Sequence, residues 1–519
     1  SGLAPVSYLY DARGRLTTTV EGEGDSLHTT VLGYDASGWL RSVTDALGGV
    51  TLYSRDGAGR VTAQTLPSGH TLHFAYDAMG NLTAQQDVRG IVTTYEYDAA
   101  NRRVAQVVDA GGLAVRTQDV YDLADNLRQR VEDVGGLHAT TVYTYAADAT
   151  GGYALVERSD ALQQHTHYAY DSAGSLLAVT DALGRTTHYT YTVQGWLAQA
   201  TTPGGRTTTT EYNSEGQPVS VTDAAGGATL YTYDALGRLH TTTTGAAPIG
   251  GQPALNRTLT TTYDVHGRIV AVTDAAGATS TRSYDAFGRV SSESDPLGNT
   301  TLYTYDALDR LVRVTTGADV PGEALSTATT YDAVGRKLTM HVDPDGLNLT
   351  TTYRYTRPGS SDAWSLQEVI DPKGHVTAYS YNSLGMLAAT TDALNQTWRF
   401  TYDNLGRQVT QSDPLGRTTT YAVDALGRRT SLTLDGRTEQ WAYRPDGALA
   451  GTMDFAGRVT SYGYSPDREL TAIDYPDGAA DVSYTYDAAG NVVSMSDGLG
   501  VTTYSYNVLN QMASRSRNG

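Results

Sequence analysis

Three histidines come closest to a spacing that could do chemistry. His167 and His188 each lie three residues before a tyrosine and are 21 residues apart, and His165 lies two residues before His167. Alternate residues of a strand share a face, so strands would bring the three imidazoles together, where they could bind a metal ion. No carboxylate recurs at matching positions. The sequence therefore favours a strand position that tolerates histidine, and we predict no metal and no other cofactor.

Other chemistry finds little support in the residue types. The chain of 519 residues contains no cysteine, which excludes disulfides, thiolate metal sites and a cysteine nucleophile. The sequence shows no convincing Ser-His-Asp order of a catalytic triad, no HExxH motif of a zinc protease and no glycine-rich phosphate-binding loop. The aspartates are spread one per turn, whereas a calcium loop needs several oxygens at one point. We predict no catalytic residues and no enzyme activity.

Charge and hydrophobicity argue against nucleic acid and against a membrane as partners. The net charge is −19, and both nucleic acid and an anionic membrane surface require positive charge on the protein. No run of about 18 apolar residues is present, so we predict no membrane span.

The elements that would position such residues follow from a repeated phrase, Tyr-Asp-x-x-Gly-Arg-Leu. It recurs at a spacing of roughly 21 residues across nearly the whole chain, which predicts a single array from residue 1 to 519 with about 22 repeats. We take the tyrosine, aspartate and glycine of the phrase as structural site residues. In the clearest copies they are Tyr76, Asp77 and Gly80; Tyr233, Asp234 and Gly237; Tyr263, Asp264 and Gly267; Tyr284, Asp285 and Gly288; and Tyr402, Asp403 and Gly406.

Each repeat reads as two strands and two turns. The residues on both sides of the phrase alternate in character, as in residues 300–305 and 311–316, and no pattern with a period of 3.6 residues is sustained. Both turns have the form Asp-x-x-Gly, in which the aspartate can accept bonds from backbone amides and the glycine takes positive φ. We call the turn that follows the tyrosine the tip and the other the inter-repeat turn. The pattern predicts an all-β ribbon of tandem antiparallel hairpins.

The size of such a ribbon argues for curvature. About 44 strands at a spacing of about 4.8 Å would extend on the order of 210 Å, and open sheets of more than about 10 strands curl or split. The hydrophobic fraction of 39% is low for several thick cores. We therefore predict a curved, spiralling sheet that forms a shell, and whether this shell is hollow stays open at this point.

Tyrosine is used for its hydroxyl as well as its ring. The chain has 37 tyrosines and 4 phenylalanines, a ratio that ring burial alone does not explain. We expect the hydroxyl to form a hydrogen bond and the ring to stack on its neighbour, so that equivalent tyrosines line up as a ladder.

The phrase and its period resemble the YD repeat of the Rhs family, which includes bacterial Rhs and wall-associated toxins, the C component of Tc toxins and the animal teneurins. The resemblance covers essentially the whole chain. It implies a β-sheet spiral that forms a hollow shell, which in Rhs and Tc proteins surrounds a C-terminal toxin domain. The core-closing, self-cleaving segment of those proteins is not recognised here. Residues 343–347, Asp-Pro-Asp-Gly-Leu, are interpreted as an ordinary inter-repeat turn. The chain is expected to be the middle of a larger protein.

Two functions remain open. The first is a structural shell that encloses a polypeptide cargo such as a toxin domain. The second is a cell-surface module that binds a glycan or mediates adhesion, because tyrosine faces and loops that lengthen some repeats could bind sugars. These loops are residues 146–159, 245–256, 317–326 and 357–365. With either function we expect an exported bacterial protein that is secreted or lies at the cell surface. The sequence does not indicate the oligomeric state.

Overall fold

The structure, a computed structural model, contains strands and turns and no helix in the residues that it describes. These residues are 3–22, 27–109, 111–147, 151–249, 252–320, 322, 324–355, 364–476 and 481–518. They form 46 strands, which belong to one sheet. The all-β prediction is confirmed. Among the described residues there is no helix with the length and apolar character needed to cross a bilayer.

The strands are short, and most contain five to seven residues. In the first half of the chain they are β1 Val6–Tyr10, β2 Leu16–Glu21, β3 His28–Tyr34, β4 Leu40–Thr44, β5 Val50–Arg55, β6 Val61–Thr65, β7 Thr71–Tyr76, β8 Leu82–Gln86, β9 Val92–Tyr97, β10 Arg103–Val108, β11 Val115–Tyr121, β12 Leu127–Glu132, β13 Ala139–Ala147, β14 Tyr153–Ser159, β15 His165–Tyr170, β16 Leu176–Thr180, β17 Thr186–Tyr191, β18 Leu197–Thr201, β19 Thr207–Tyr212, β20 Pro218–Thr222, β21 Ala228–Tyr233, β22 Leu239–Thr244 and β23 Arg257–Tyr263. In the second half they are β24 Ile269–Thr273, β25 Thr279–Tyr284, β26 Val290–Ser294, β27 Thr300–Tyr305, β28 Leu311–Thr316, β29 Leu325–Tyr331, β30 Lys337–Val342, β31 Leu349–Arg354, β32 Glu368–Ile370, β33 Val376–Tyr381, β34 Leu387–Thr391, β35 Thr397–Tyr402, β36 Gln408–Ser412, β37 Thr418–Val423, β38 Arg429–Leu434, β39 Arg437–Tyr443, β40 Leu449–Met453, β41 Val459–Tyr464, β42 Leu470–Asp474, β43 Val482–Tyr486, β44 Val492–Asp497, β45 Gly500–Tyr506 and β46 Met512–Asn518.

Consecutive strands pair antiparallel, and the repeat has a fixed register. In the hairpin of β27 and β28, Tyr303 lies opposite Val314 and Thr304 opposite Arg313, and the register then shifts so that Tyr305 lies opposite Leu311. The same shift occurs beside the tip in hairpin after hairpin. A bulge of this kind increases the local twist of the ribbon.

The tip turn has the geometry that the sequence predicts. In the turn that starts at Asp285, one carboxylate oxygen accepts bonds from the amides of Phe287 and Arg289 at 2.9 and 3.0 Å. The amide of Gly288 donates to the carbonyl of Asp285, and Gly288 has φ of 82°. A residue with a side chain rarely adopts this backbone conformation, which is why glycine stands there.

Residues 343–347 do lie in an inter-repeat turn, between β30 and β31, but its geometry differs from the predicted one. The loop holds six residues where the common turn holds five. Asp343 and Asn348 have φ of 53° and 46°, and no positive φ is found at Gly346. The extra residue therefore moves the positive φ away from the glycine to the two ends of the loop.

The sheet has no thick core. Among the described residues only Ala105, Ala139, Ala389 and Val508 are buried apolar residues. Most strand residues are half-buried on a sheet one layer thick. This agrees with the low apolar content of the sequence.

The chain divides into two compact units, each built from stretches that are distant in sequence. Unit 1 contains Ser1–Thr117, Asp264–Ala271 and Thr279–Gly416, and unit 2 contains Gln118–Tyr263, Val272–Ala278 and Arg417–Gly519. That residues 1–519 form a single array of about 22 repeats stays a prediction.

Candidate functional site

Many of the tip tyrosines connect their repeat to the one before it. Tyr233 and Tyr284 donate their hydroxyl hydrogen bonds to the carbonyls of Pro218 and Ile269, at 2.8 and 2.7 Å. Tyr263 and Tyr402 do the same with Leu239 and Leu387, both at 2.8 Å. Pro218, Leu239 and Leu387 lie opposite the tip tyrosine of the preceding repeat, at the point where the register of the ladder shifts. The hydroxyl is therefore used for a hydrogen bond, as the ratio of tyrosine to phenylalanine predicts.

The contact found on the tyrosine ring is with arginine, which the sequence analysis did not assign. The guanidinium of Arg268 lies 4.4 Å from the ring centre of Tyr284, and that of Arg238 lies 4.5 Å from Tyr263. Arg60 lies over Tyr76 at 5.0 Å. The expected stacking of ring on ring is thus replaced at these tips by cation–π contacts. The signal was present in the sequence, because the repeated phrase ends in arginine and only Lys337 and Lys373 are lysines.

The same arginine is held by the aspartate of its own turn. Arg268 donates from Nε to Asp264 at 2.7 Å and makes a second contact from Nη2 at 2.6 Å. Asp264 thereby caps the turn through the amides of His266 and Arg268 and also fixes the guanidinium over Tyr284. Aspartate, arginine and tyrosine form one polar chain that runs from repeat to repeat.

This arrangement lowers the pKa of two of the turn aspartates, Asp264 and Asp234. At Asp264, partial desolvation raises the pKa, but the backbone amide and guanidinium of Arg268 together outweigh it and lower the pKa to about 2. At Asp234 the guanidinium of Arg238 is the largest cause, and it lowers the pKa. These carboxylates therefore remain charged in moderately acidic solution.

The pKa shifts predict how stability depends on pH. A carboxylate whose pKa is lowered by folding stabilises the fold above its unfolded pKa and loses that contribution as the pH falls through its folded pKa. We expect the midpoint of thermal unfolding to be level from pH 7 to about pH 4 and to drop between about pH 4 and pH 2. Calorimetry across this range measures it. A drop that is complete by pH 5 would contradict the assignment of the caps.

Removal of one tip hydroxyl tests the tyrosine contact. Tyr284→Phe keeps the ring beneath Arg268 but loses the bond to Ile269, so we expect a loss of about 1 kcal/mol in the free energy of unfolding. Urea titration measures the change. Tyr8→Phe is the control, because Tyr8 is exposed, and it should leave the free energy nearly unchanged. Equal effects of the two substitutions would contradict the role of the bond.

The histidines predicted to be neighbours are only partly brought together. The rings of His165 and His167 lie 6.2 Å apart and nearly parallel. Both face Glu157, at 2.7 Å and 3.6 Å from Nδ1, a carboxylate that the sequence analysis did not connect with them. His188 lies on β17, opposite Ala178 on β16. In the part of the chain that the structure describes, no group of three or more acidic or histidine side chains is arranged to hold a metal ion.

The structure describes only part of the loops that lengthen some repeats. Residues 148–150, 250, 251, 321, 323 and 356–363 lie outside the described residues. Trp364, from the loop at 357–365, lies beneath the guanidinium of Arg336 at 4.9 Å and beside the ring of His70 at 5.6 Å. A groove of about 560 Å³ lies next to the loop at 245–256, lined by residues that include Leu255, Arg257 and Asp274.

A second set of polar contacts joins the two long stretches of unit 2. Arg185, at the end of an inter-repeat turn, contacts Asp446 in a tip at 2.5 Å, and the side chain of Asp446 is fully buried. One repeat further on, Arg206 contacts Glu469 at 2.6 Å. The amide of Gly204 donates to Asp467 at 2.6 Å. We call this line of contact, in which inter-repeat turns of one stretch meet tips of the other, the seam.

The seam advances by one repeat on each side. Arg185 and Arg206 are 21 residues apart, as are their acidic partners Asp446 and Asp467. Further along, the side chains of Val508 and Leu509 lie close to Gly245, and Val508 is only 5% exposed. The seam therefore combines ion pairs with apolar contact. Sequence reasoning missed it because its partners are more than 260 residues apart.

These features define a class of protein: a repeat protein built as a ribbon of antiparallel hairpins, with linked Tyr-Asp tips and stretches held edge to edge. A comparison with sequence families matches the RHS repeat and covers more than half of the chain, so the chain belongs to the RHS repeat family. The matched residues are 34–71, 56–91, 76–114, 170–207, 212–247, 263–300, 284–320, 362–397, 381–418, 402–440 and 482–519.

Solved structures with the same fold include two described as TcdB2-TccC3. One matches 99% of this chain with a TM-score of 0.64 and 16% identity. Another, described as TcdB2-TccC3 without its hypervariable C-terminal region, matches 99% with a TM-score of 0.63 and 14% identity. The chain spans about a third of the length of these solved chains, 32% and 33%. A comparison with curated proteins gives no match.

Proposed function

We propose that this chain is a segment of the wall of a hollow shell that encloses a polypeptide cargo, such as the C-terminal toxin domain of an Rhs-type protein. The observation that carries the proposal is the seam. A ribbon one sheet thick encloses nothing unless its edges are sealed, and in unit 2 the edges are joined by ion pairs and apolar contact. Membership of the RHS repeat family supports the same function.

The role is structural rather than catalytic. The aspartates and arginines that recur in many of the repeats are occupied by turn caps and tyrosine contacts, as at Asp264 and Arg268. A toxin container acts outside the cell that makes it, so the proposal also includes export of the protein.

The glycan-binding alternative receives less support. Sugar-binding surfaces present aromatic rings to solvent, but the rings of Tyr263 and Tyr284 are covered by guanidinium groups and their hydroxyls donate to carbonyls. Trp364 lies against Arg336 and His70. The groove beside the loop at 245–256 is a place where a sugar could still bind. A glycan array on the purified chain tests it, and binding that Arg257→Ala abolishes would favour this alternative.

Small-angle X-ray scattering tests the shell. A curved wall one sheet thick, about 10 Å, gives a larger radius of gyration than a solid globule of 519 residues, for which about 24 Å is expected. We expect a value clearly above that, with a distance distribution typical of a thin curved body. A profile that fits a solid globule would overturn the proposal.

A further inference from the structure

A polar cavity of about 210 Å³ lies at the seam of unit 2. One side of it is formed by the turns that begin at Asp160 and Asp181, and the other side by the tips that contain Asp446 and Arg468. These turns and tips belong to the two long stretches of unit 2. A small molecule bound in this cavity would therefore contact both sides of the seam.

Arg158, on β14, is the first of two arginines in the cavity that depart from the repeat. It stands two residues before an inter-repeat turn, and the same position in the next three repeats holds Val179, Ala200 and Val221. The side chain of Arg158 is exposed, and within the described residues it has neither a hydrogen bond nor an ion pair. The hairpin therefore does not need a cation at this position.

Arg468 is the second departure. It is the fourth residue of its tip, Ser-Pro-Asp-Arg, where the neighbouring tips have Gly427, Gly447 and Gly490 with φ between 81° and 88°. Arg468 has φ of 66°, and in the described part of the chain no other arginine has a positive φ. This conformation is unfavourable for a residue with a long side chain, and such strain is typical of functional positions.

The aspartates of the cavity are already engaged. Asp181 and Asp446 both accept bonds from Arg185, at 2.6 and 2.5 Å. Asp160 caps its own turn with one carboxylate oxygen. Nη2 of Arg468 lies 3.7 Å from Asp181, which is beyond hydrogen-bond distance. Within the described residues, the guanidinium groups of Arg468 and Arg158 are thus left without a hydrogen-bonded carboxylate.

The cavity is positive although the chain carries a net charge of −19. The charged residues of its lining, together with their ion-pair partners, are Arg158, Arg185, Arg428, Arg444 and Arg468 against Asp160, Asp181, Asp424 and Asp446. A guanidinium with free N–H groups matches the oxygens of a phosphate in charge and in geometry.

We propose that this cavity binds a free phosphate ion, held by Arg158 from one stretch and by Arg468 from the other. The ion would supply the acceptor oxygens that both guanidinium groups lack, and it would join the two sides of the seam. Because the ion binds the folded chain, phosphate stabilises the fold. The inference does not depend on what the wall encloses.

Isothermal titration calorimetry of the full chain with sodium phosphate, in a chloride buffer of constant ionic strength, tests the site. We expect saturable binding, and Arg158→Val and Arg468→Gly each to weaken it at least about ten-fold. Both variants introduce the residue that equivalent repeats carry, so the fold is retained. Arg399→Val, at an exposed strand position in unit 1, is the control and should bind phosphate like the unchanged chain.

The midpoint of thermal unfolding gives a second measurement. Phosphate should raise it more than chloride does at equal ionic strength, and Arg468→Gly should lose this extra rise although it is at least as stable as the unchanged chain without phosphate.

Three results would overturn the site: equal effects of phosphate and chloride on the unchanged chain, unchanged affinity in Arg158→Val or Arg468→Gly, or an equal loss of affinity in Arg399→Val. A chain that binds no phosphate but scatters X-rays as a thin curved body would remove the site and leave the shell intact.

Discussion

Replacing Gly288 with valine is expected to destabilise its hairpin by about 2 kcal/mol, about twice the loss expected for Tyr284→Phe. Gly288 has φ of 82°, a conformation that a β-branched side chain does not accept without strain. Space is not the obstacle, because a Cβ at this position would meet its nearest neighbours only at 3.5 Å. The loss of stability therefore comes from the strained backbone conformation of the valine and not from a steric clash of its side chain.

The effect is measured by urea titration together with hydrogen exchange of the amides in residues 285–289. Gly57→Val is the matched control. Gly57 is the second residue of an equivalent turn, has no positive φ and has no other atom within 4 Å of a built Cβ. We expect it to be neutral or slightly stabilising, since it restricts the unfolded chain. If Gly288→Val and Tyr284→Phe give equal midpoints, the explanation from positive φ is wrong.

Breaking the seam pair is expected to have the largest effect of a single side chain. Arg185→Ala leaves the fully buried carboxylate of Asp446 with Arg444, whose Nε lies 3.4 Å away. Removal of one partner of a buried ion pair costs about 3 kcal/mol, because the remaining carboxylate keeps its desolvation penalty and Arg444 compensates only part of it. The free energy of unfolding measured in urea gives the value.

Two controls make this prediction specific. Arg458→Ala removes the equivalent arginine of an inter-repeat turn outside the seam, and it should change stability little because that side chain is 70% exposed. The double variant Arg185→Ala with Asp446→Ala should lose less than the sum of the two single losses, since no orphan charge remains. Additive losses would show that the two residues do not stabilise the seam together.

The local structure of this protein could be predicted from its residues because each repeat contains the residues that determine its own turns and strands. Asp-x-x-Gly at both ends of a hairpin defines the turns, and alternation between them defines the strands, so the register of β27 and β28 needs no distant residue. The excess of tyrosine over phenylalanine indicated the hydrogen bond of the hydroxyl. The recurring arginine after the glycine was equally visible, but its place above the ring of the next repeat was not recognised.

Which distant repeats contact each other could be decided only by the tertiary structure. Arg185 and Arg458 stand in turns of the same chemistry, yet one contacts a buried carboxylate and the other points into solvent. Hairpin sequence fixes twist and register within a few strands, whereas the seam depends on the curvature accumulated over about 260 residues. A small change of twist at each strand would bring a different tip to Arg185. The sequence by itself therefore determined the ribbon, and the winding of the ribbon determined which of its repeated charges form the seam.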